Sequence, residues 1–264
     1  MESFTAIPMT ILCVWMYSRY STTFVLRLST TVLLLGALLR TLCRQTDSYY
    51  PVFFGTIICS CTNPFLGNVQ QLIVNKWFGD HERAFATALM VLSMPIGTAA
   101  AYVMDDMWFR GVPKEDFRKT FDDLMVFQAM ACAFAWCTLN IFFREEPVIP
   151  PSHAATVPYE NLNFLEAFKA MRENQNFLLL SIAYGLIFGS YIAIGTLVSN
   201  LFDPFGYDVS DLSYVCLRLL GAGVIGAVVV GAVIDRTQDY KSMMGKITLM
   251  IAGSTYMVIS TLKN

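Results

Sequence analysis

Charge in this chain is confined to short clusters, and between them run long stretches with almost none. A helix that crosses the hydrocarbon core of a bilayer needs roughly 20 mostly apolar residues. Eight stretches meet or approach that length: Phe4–Tyr17 (the shortest), Phe24–Cys43, Tyr50–Val74, Ala84–Met104, Leu124–Phe143, Phe177–Leu201, Leu212–Ile234 and Ile247–Leu262. Most lack a polar face, which a helix in a water-soluble bundle must have. Charged residues make up 14% of the chain, against about a quarter in soluble domains. The expected fold class is all-α, a polytopic membrane protein of about eight transmembrane helices.

The same pattern excludes several functions. The net charge is −2 and no basic stripe runs along any face, so a nucleic-acid partner is not expected. The seven cysteines form no C-x-x-C and mostly lie inside apolar stretches, as small packing residues do. His81 and His153 fall in loops with too few companions for a metal site, and no cofactor is expected. The spans contain no paired carboxylates, no H-E-x-x-H and no Ser-His set, so an enzyme is not expected. The partners this leaves are the lipid bilayer and a small-molecule substrate, with the protein a monomer in the plasma membrane rather than an organelle.

The longest connector, Arg144 to Asn176, divides the stretches five and three. Residues 1–143 form a first bundle, 144–176 a cytoplasmic linker with a surface helix, and 177–264 the opening of a second bundle. The linker begins Pro-rich and extended. Leu162, Leu165, Phe168 and Met171, three apart, then predict an amphipathic helix on a membrane face. Lys and Arg favour the cytoplasmic side. The loops on the connector's side hold ten of them against seven on the other. The opposite loops also carry the acidic crowd Asp105, Asp106, Glu115, Asp116, Asp122 and Asp123, so the connector is expected on the cytoplasmic side. A five-plus-three division is lopsided for a carrier of equal halves; one span before Met1 and three after Asn264 would make six plus six.

Polar groups inside spans are costly and tend to face a bundle interior. Asn63, Gln70 and Gln71 recur around Gly67 at helical spacing on one face of the third stretch. Tyr184 and Tyr191 are seven apart, two turns of one helix. Two such rings hold a quaternary ammonium by cation–π contact or stack on a flat ring; ordinary interhelical packing accounts for the same residues. Arg218 either snorkels to the interface or meets an anionic group. Gly185 and Gly189, and Ala227 and Gly231, have the spacing that lets helices approach closely. Asp80 is placed to cap a helix beginning near Ala84, with Glu82 in its first turn.

Specific motifs add a resemblance. Gly231 followed by Asp235-Arg236 and Tyr240-Lys241 resembles the loop motif G-x-x-x-D-R-x-x-x-[YF]-[KR] of the major facilitator superfamily. Trp77-Phe78-Gly79, Glu82-Arg83 and Ala86-Thr87-Ala88 resemble a segment of one branch, the feline leukaemia virus subgroup C receptor-related family of heme and choline transporters. Asn63-Pro64-Phe65 resembles that branch's Q-P-F, and Asn163–Gly189 its connector and seventh helix. The likeness runs from about Ile11 to Leu262 and implies helices two to nine of a twelve-helix, two-bundle fold. It further implies transport of a choline-like amine or heme by alternating access. No Asp, Glu or His lies mid-span, which favours facilitated or exchange transport. A truncated or receptor-like protein without transport is the rival reading. The resemblance makes Asp80, Arg83, Asp235, Arg236 and Lys241 gating-loop residues, or topology anchors only. Ser18 stands where the superfamily pattern has Asp, and the branch's substrate tyrosine and glutamine fall at Ile192 and near Pro95.

Overall fold

A computed structural model describes the chain except residues 1, 47, 80–81, 146, 148–163, 203–208, 238 and 263–264. Its elements are all helices: α1 Glu2–Arg19, α2 Thr22–Thr41, α3 Cys43–Thr46, α4 Tyr50–Trp77, α5 Arg83–Phe109, α6 Phe117–Phe142, α7 Phe164–Glu173, α8 Gln175–Phe202, α9 Val209–Thr237 and α10 Tyr240–Leu262. Each of the eight apolar stretches falls on one long helix to within a residue or two, Phe24–Cys43 running past the end of α2 to the first residue of α3. Five segments among the described residues are long and apolar enough to cross a membrane: Thr22–Thr46, Tyr50–Trp77, Ala86–Phe109, Phe117–Phe142 and Gln175–Leu197. In α9 the described apolar run is Tyr214–Gly226.

The helices outrun the apolar stretches where charged residues continue the backbone into water. Helix α6 starts at Phe117 and carries Arg118, Lys119, Asp122 and Asp123 in its opening turns, seven residues before the stretch that begins at Leu124. Helix α9 likewise continues through Asp235 and Arg236 to Thr237. Helix α5 begins at Arg83 with Glu82 at the N-cap, making no side-chain cap bond; the expected cap, Asp80, lies two residues further back and outside the described residues. Helix α7 covers Leu165, Phe168 and Met171 of the predicted amphipathic segment, with Phe168 and Met171 exposed; Leu162 lies outside the described residues.

The contacts divide the chain into two compact units, Met1–Ser213 and Tyr214–Asn264. The centre of the first is the pair α2 and α4, with α6 packed on α2 and α1 on α4. Helices α2 and α4 cross at two glycines. A methyl group on Gly55 would lie 2.7 Å from the Gly36 carbonyl oxygen and 2.5 Å from Arg40 Cγ. One on Gly36 would lie 2.8 Å from Cys59 Sγ. Among the described residues a methyl group on Gly185 or Gly189 would meet nothing within 4 Å, whereas Gly36 and Gly55 make a close approach.

Hydrogen bonds fasten the neighbours to this pair. The Trp136 indole N–H donates to Thr31 Oγ1 at 2.8 Å, joining α6 to α2. The Tyr17 hydroxyl donates to the Phe65 carbonyl at 3.0 Å, joining α1 to α4 beside Pro64. The buried hydroxyls of Ser29, Thr30, Ser60 and Thr62 donate to carbonyls of their own helices, so they enter the interior without leaving an unpaired donor. Large apolar residues such as Phe134 and Phe142, each 75% exposed, cover the outside, as lipid contact requires.

Gly55→Val should lower the stability of the folded chain in mild detergent by about 1–3 kcal/mol, because its side chain meets backbone that cannot move aside. Gly97→Ala, where the added methyl meets open space, should leave it unchanged or slightly raised. Unfolding titrations of the two variants side by side measure the difference.

Candidate functional site

Two features of the first unit bear on function: a polar stripe along α4 and a charged clamp at one end of the bundle. On α4, Asn63 and Gln71 are exposed and Gln70 is half-buried, whereas Phe65 and Val69 are buried against the neighbouring helices. The stripe therefore points away from the core of its own bundle. None of the three side chains makes a hydrogen bond to another described residue. Hydrocarbon cannot satisfy such groups, so this face of a membrane-crossing helix is one that water, solute or other protein covers.

On α8, Tyr184 and Tyr191 are 64% and 45% exposed. A residue absent from the sequence-based set lies between them. Phe188 stacks on Tyr184 with ring centroids 5.7 Å apart and planes 7° from parallel. It also meets Tyr191 at 6.3 Å. The three rings form a continuous aromatic ladder, and its signal was the spacing of four and then three residues. Ile192, the position of the branch's substrate tyrosine, is exposed beside it. Arg218 of α9 and Lys241 of α10 are exposed. Arg83, Asp235 and Arg236 belong to helices whose backbone is described, but their side chains, like Asp80 as a whole, lie outside the described residues.

The clamp has no signal in the sequence, where Glu145 falls at the opening of the Pro-rich connector that begins at Arg144. Glu145 lies three residues beyond α6 and reaches the start of α2, where its carboxylate accepts the N–H of Thr22 at 3.0 Å and of Thr23 at 3.3 Å. Lys76, in the last turn of α4, donates to the same carboxylate at 2.9 Å. The arrangement suits both helix ends: α2 has no acidic residue of its own in the first turn, and its positive end attracts the carboxylate, while Lys76 stands at the negative end of α4. Ser21 accepts the Phe24 N–H at 3.3 Å and completes the cap. Burial by itself would raise the pKa of Glu145. The Lys76 hydrogen bond, the two backbone N–H groups and the lysine charge outweigh it and hold the carboxyl at about 2. In the degraded loop before α2, Ser18 donates to the Trp15 carbonyl at 2.8 Å, a bond within its own helix.

A family model of the Major Facilitator Superfamily matches residues 2–263. The chain belongs to the Major Facilitator Superfamily. Its relatives include the choline/ethanolamine transporter flvcr2a of Danio rerio, 26% identical over 90% of this chain and 52% of the relative. The human choline/ethanolamine transporter FLVCR2 is 25% identical over 90% of this chain and 46% of the relative. An uncharacterized MFS-type transporter of Caenorhabditis elegans, C09D4.1, is 26% identical over 78% of this chain and 36% of the relative. The chain thus spans about half the length of the curated relatives it matches, and the two vertebrate relatives bear the name of the branch that the motifs around Trp77 and Asn163 resemble.

The depressed pKa of Glu145 fixes the sign of a pH effect. The clamp should stabilise fully above the ordinary glutamate pKa near 4.5 and weaken as pH falls from there toward about 2. Glu145→Gln should cost about 1–3 kcal/mol at neutral pH and flatten that acid limb. Lys76→Met should cost less, because Glu145 still caps Thr22 and Thr23. Unfolding of the three proteins in detergent between neutral and acidic pH measures both effects.

Proposed function

We propose that these helices belong to a carrier that moves a small organic amine of the choline or ethanolamine type across the membrane by alternating access, facilitative or in exchange. The observation that carries this reading is the α4 stripe of Asn63, Gln70 and Gln71, polar groups of a membrane-crossing helix turned away from their own bundle. A solute path is the use for which such groups are ordinarily retained within a bilayer. The names of the vertebrate relatives, choline/ethanolamine transporters, suggest the substrate class. The aromatic ladder Tyr184–Phe188–Tyr191 offers ring faces to an ammonium. In this reading residues 1–143 act as one bundle, 144–176 as a cytoplasmic connector and 177–264 as the opening of the second bundle. The charged loops at Asp80, Arg83, Asp235, Arg236 and Lys241 gate one side, in a monomer of the plasma membrane.

Uptake of labelled choline and ethanolamine tests this in cells that express the chain and, in parallel, a version extended at both ends to the length of the relatives. At least one form should take up an amine. Asn63→Ala and Gln71→Ala should each reduce uptake about tenfold, and Tyr191→Ala roughly three- to thirtyfold. If both forms insert and neither carries either amine, the amine reading fails. Uptake of a fluorescent heme analogue in its place would assign the other solute of the branch, and no uptake of any of the three would favour the receptor-like alternative.

A further inference from the structure

The two ends of the first unit differ in how their arginines are answered. At the end away from Glu145, Arg44 pairs with Asp123 and Arg110 with Asp106. Around the start of α2, three exposed arginines meet no carboxylate among the described residues. Arg19 is the last residue of α1 and stands three residues before Thr22. Arg27 lies in the second turn of α2, and its guanidinium donates to the Asn140 carbonyl of α6 at 3.4 Å. Arg144 stands between the end of α6 and Glu145, whose carboxylate is bonded to Thr22 and Thr23. That carboxylate is taken up by Lys76 and the two N–H groups, so it leaves the charge of the arginines unanswered. Aromatic rings adjoin them. Trp15 meets Tyr20 edge to face at 6.1 Å, and Tyr20 meets Phe24 at 5.4 Å. One line of rings, each about half exposed, thus runs from the end of α1 across the turn onto α2. Phe24 is three residues from Arg27, a neighbour on the helix surface. Leu28 and Leu35, four and eleven residues on from Phe24, continue that side of α2 as exposed apolar surface.

These features constrain the partner. A soluble anion would suit the arginines but leave the rings and leucines with nothing to contact. A zwitterionic lipid would suit the rings and leucines but bring its own ammonium toward the three guanidinium groups. We propose that this corner binds anionic phospholipids. Their phosphates lie against Arg19, Arg27 and Arg144, and Trp15, Tyr20 and Phe24 sit at headgroup level, where aromatic side chains settle in membranes. The acyl chains run along Leu28 and Leu35. Cations next to a membrane-crossing helix draw anionic headgroups in this way, and Arg19 and Arg144 are available for it because no described group engages them. The orientation proposed above puts this end on the cytoplasmic side, where anionic lipids gather. The binding itself rests on the membrane crossing of α2 and α6 and depends on neither the orientation nor the transport reading.

The test adds phosphatidylglycerol or phosphatidylcholine to the purified chain in maltoside micelles, with bound lipid counted by native mass spectrometry. Phosphatidylglycerol should bind about tenfold more tightly than phosphatidylcholine. Arg19→Gln and Arg144→Gln should each weaken phosphatidylglycerol about fivefold and leave phosphatidylcholine unchanged. Arg27→Gln also loses the bond to Asn140, so it is compared with Arg27→Lys, which keeps the charge and should keep the preference. Unfolding midpoints show that each variant is folded. Lys114→Gln, an exposed cation between α5 and α6 at the other end of the unit, should bind both lipids as the parent does. Trp15→Ala should weaken both lipids alike. Equal affinity of the parent for the two lipids, a preference that survives replacement of all three arginines by Gln, or an equal loss in Lys114→Gln would overturn the assignment.

Discussion

The close passage of α2 over α4 at Gly36 and Gly55 is the constraint on which the first unit depends. Inside a bilayer the lipid is as apolar as a leucine side chain, so helices gain little from mere burial and must associate through close packing and hydrogen bonds. Two glycines facing each other bring backbone to within contact distance and seat Arg40 Cγ and Cys59 Sγ over the opposing helix. With that pair in place, α6 has a surface on which Trp136 meets Thr31, and α1 has one on which Tyr17 meets Phe65. Wider separation of α2 and α4 would displace both partners at once.

The ends of the unit are built on a different principle. Where the helices leave the apolar zone, charges regain water and the unsatisfied helix termini offer partial charges of their own. Glu145 uses this to tie three helices together, since its carboxylate takes the first N–H groups of α2 and the lysine that ends α4 while standing just past α6. One carboxylate thus holds the ends of α2 and α4 to the segment that follows α6. The polar stripe of α4 lies between the two ends, where no helix terminus accounts for it.

Much of the fold was legible because a bilayer accepts so few structures. Eight apolar stretches became eight long helices, as backbone groups without water must pair within their own segment. The boundaries were legible only roughly. Apolar count marks where hydrocarbon begins, and α6 continues through Arg118 and Asp122 because those residues can extend a helix alongside their apolar neighbours. The α4 stripe could be read from its period, but its direction, away from the core of its own bundle, emerges only once Phe65 and Val69 are packed against the neighbouring helices. Phe188 is one aromatic among many in these helices, and its spacing of four and three from Tyr184 and Tyr191 becomes informative only once the rings stack. Its role appears only in stacking with Tyr184 and Tyr191.

The sequence by itself determined the class of solvent, the number and type of long elements and the superfamily, since these follow from runs of residues and local motifs. Tertiary structure decided which small residues are contacts and which are not. Gly36 and Gly55 are pressed against a neighbouring helix, while Gly185 and Gly189 meet no neighbour among the described residues, though nothing in their local sequence separates them. It also decided that Glu145, at the start of what reads as a linker, is a clamp, and that Arg19, Arg27 and Arg144 gather around the start of α2. Helix formation is a property of adjacent residues. A salt bridge across 69 positions, such as Lys76 to Glu145, depends on where the chain brings its ends, and only the packed bundle specifies that.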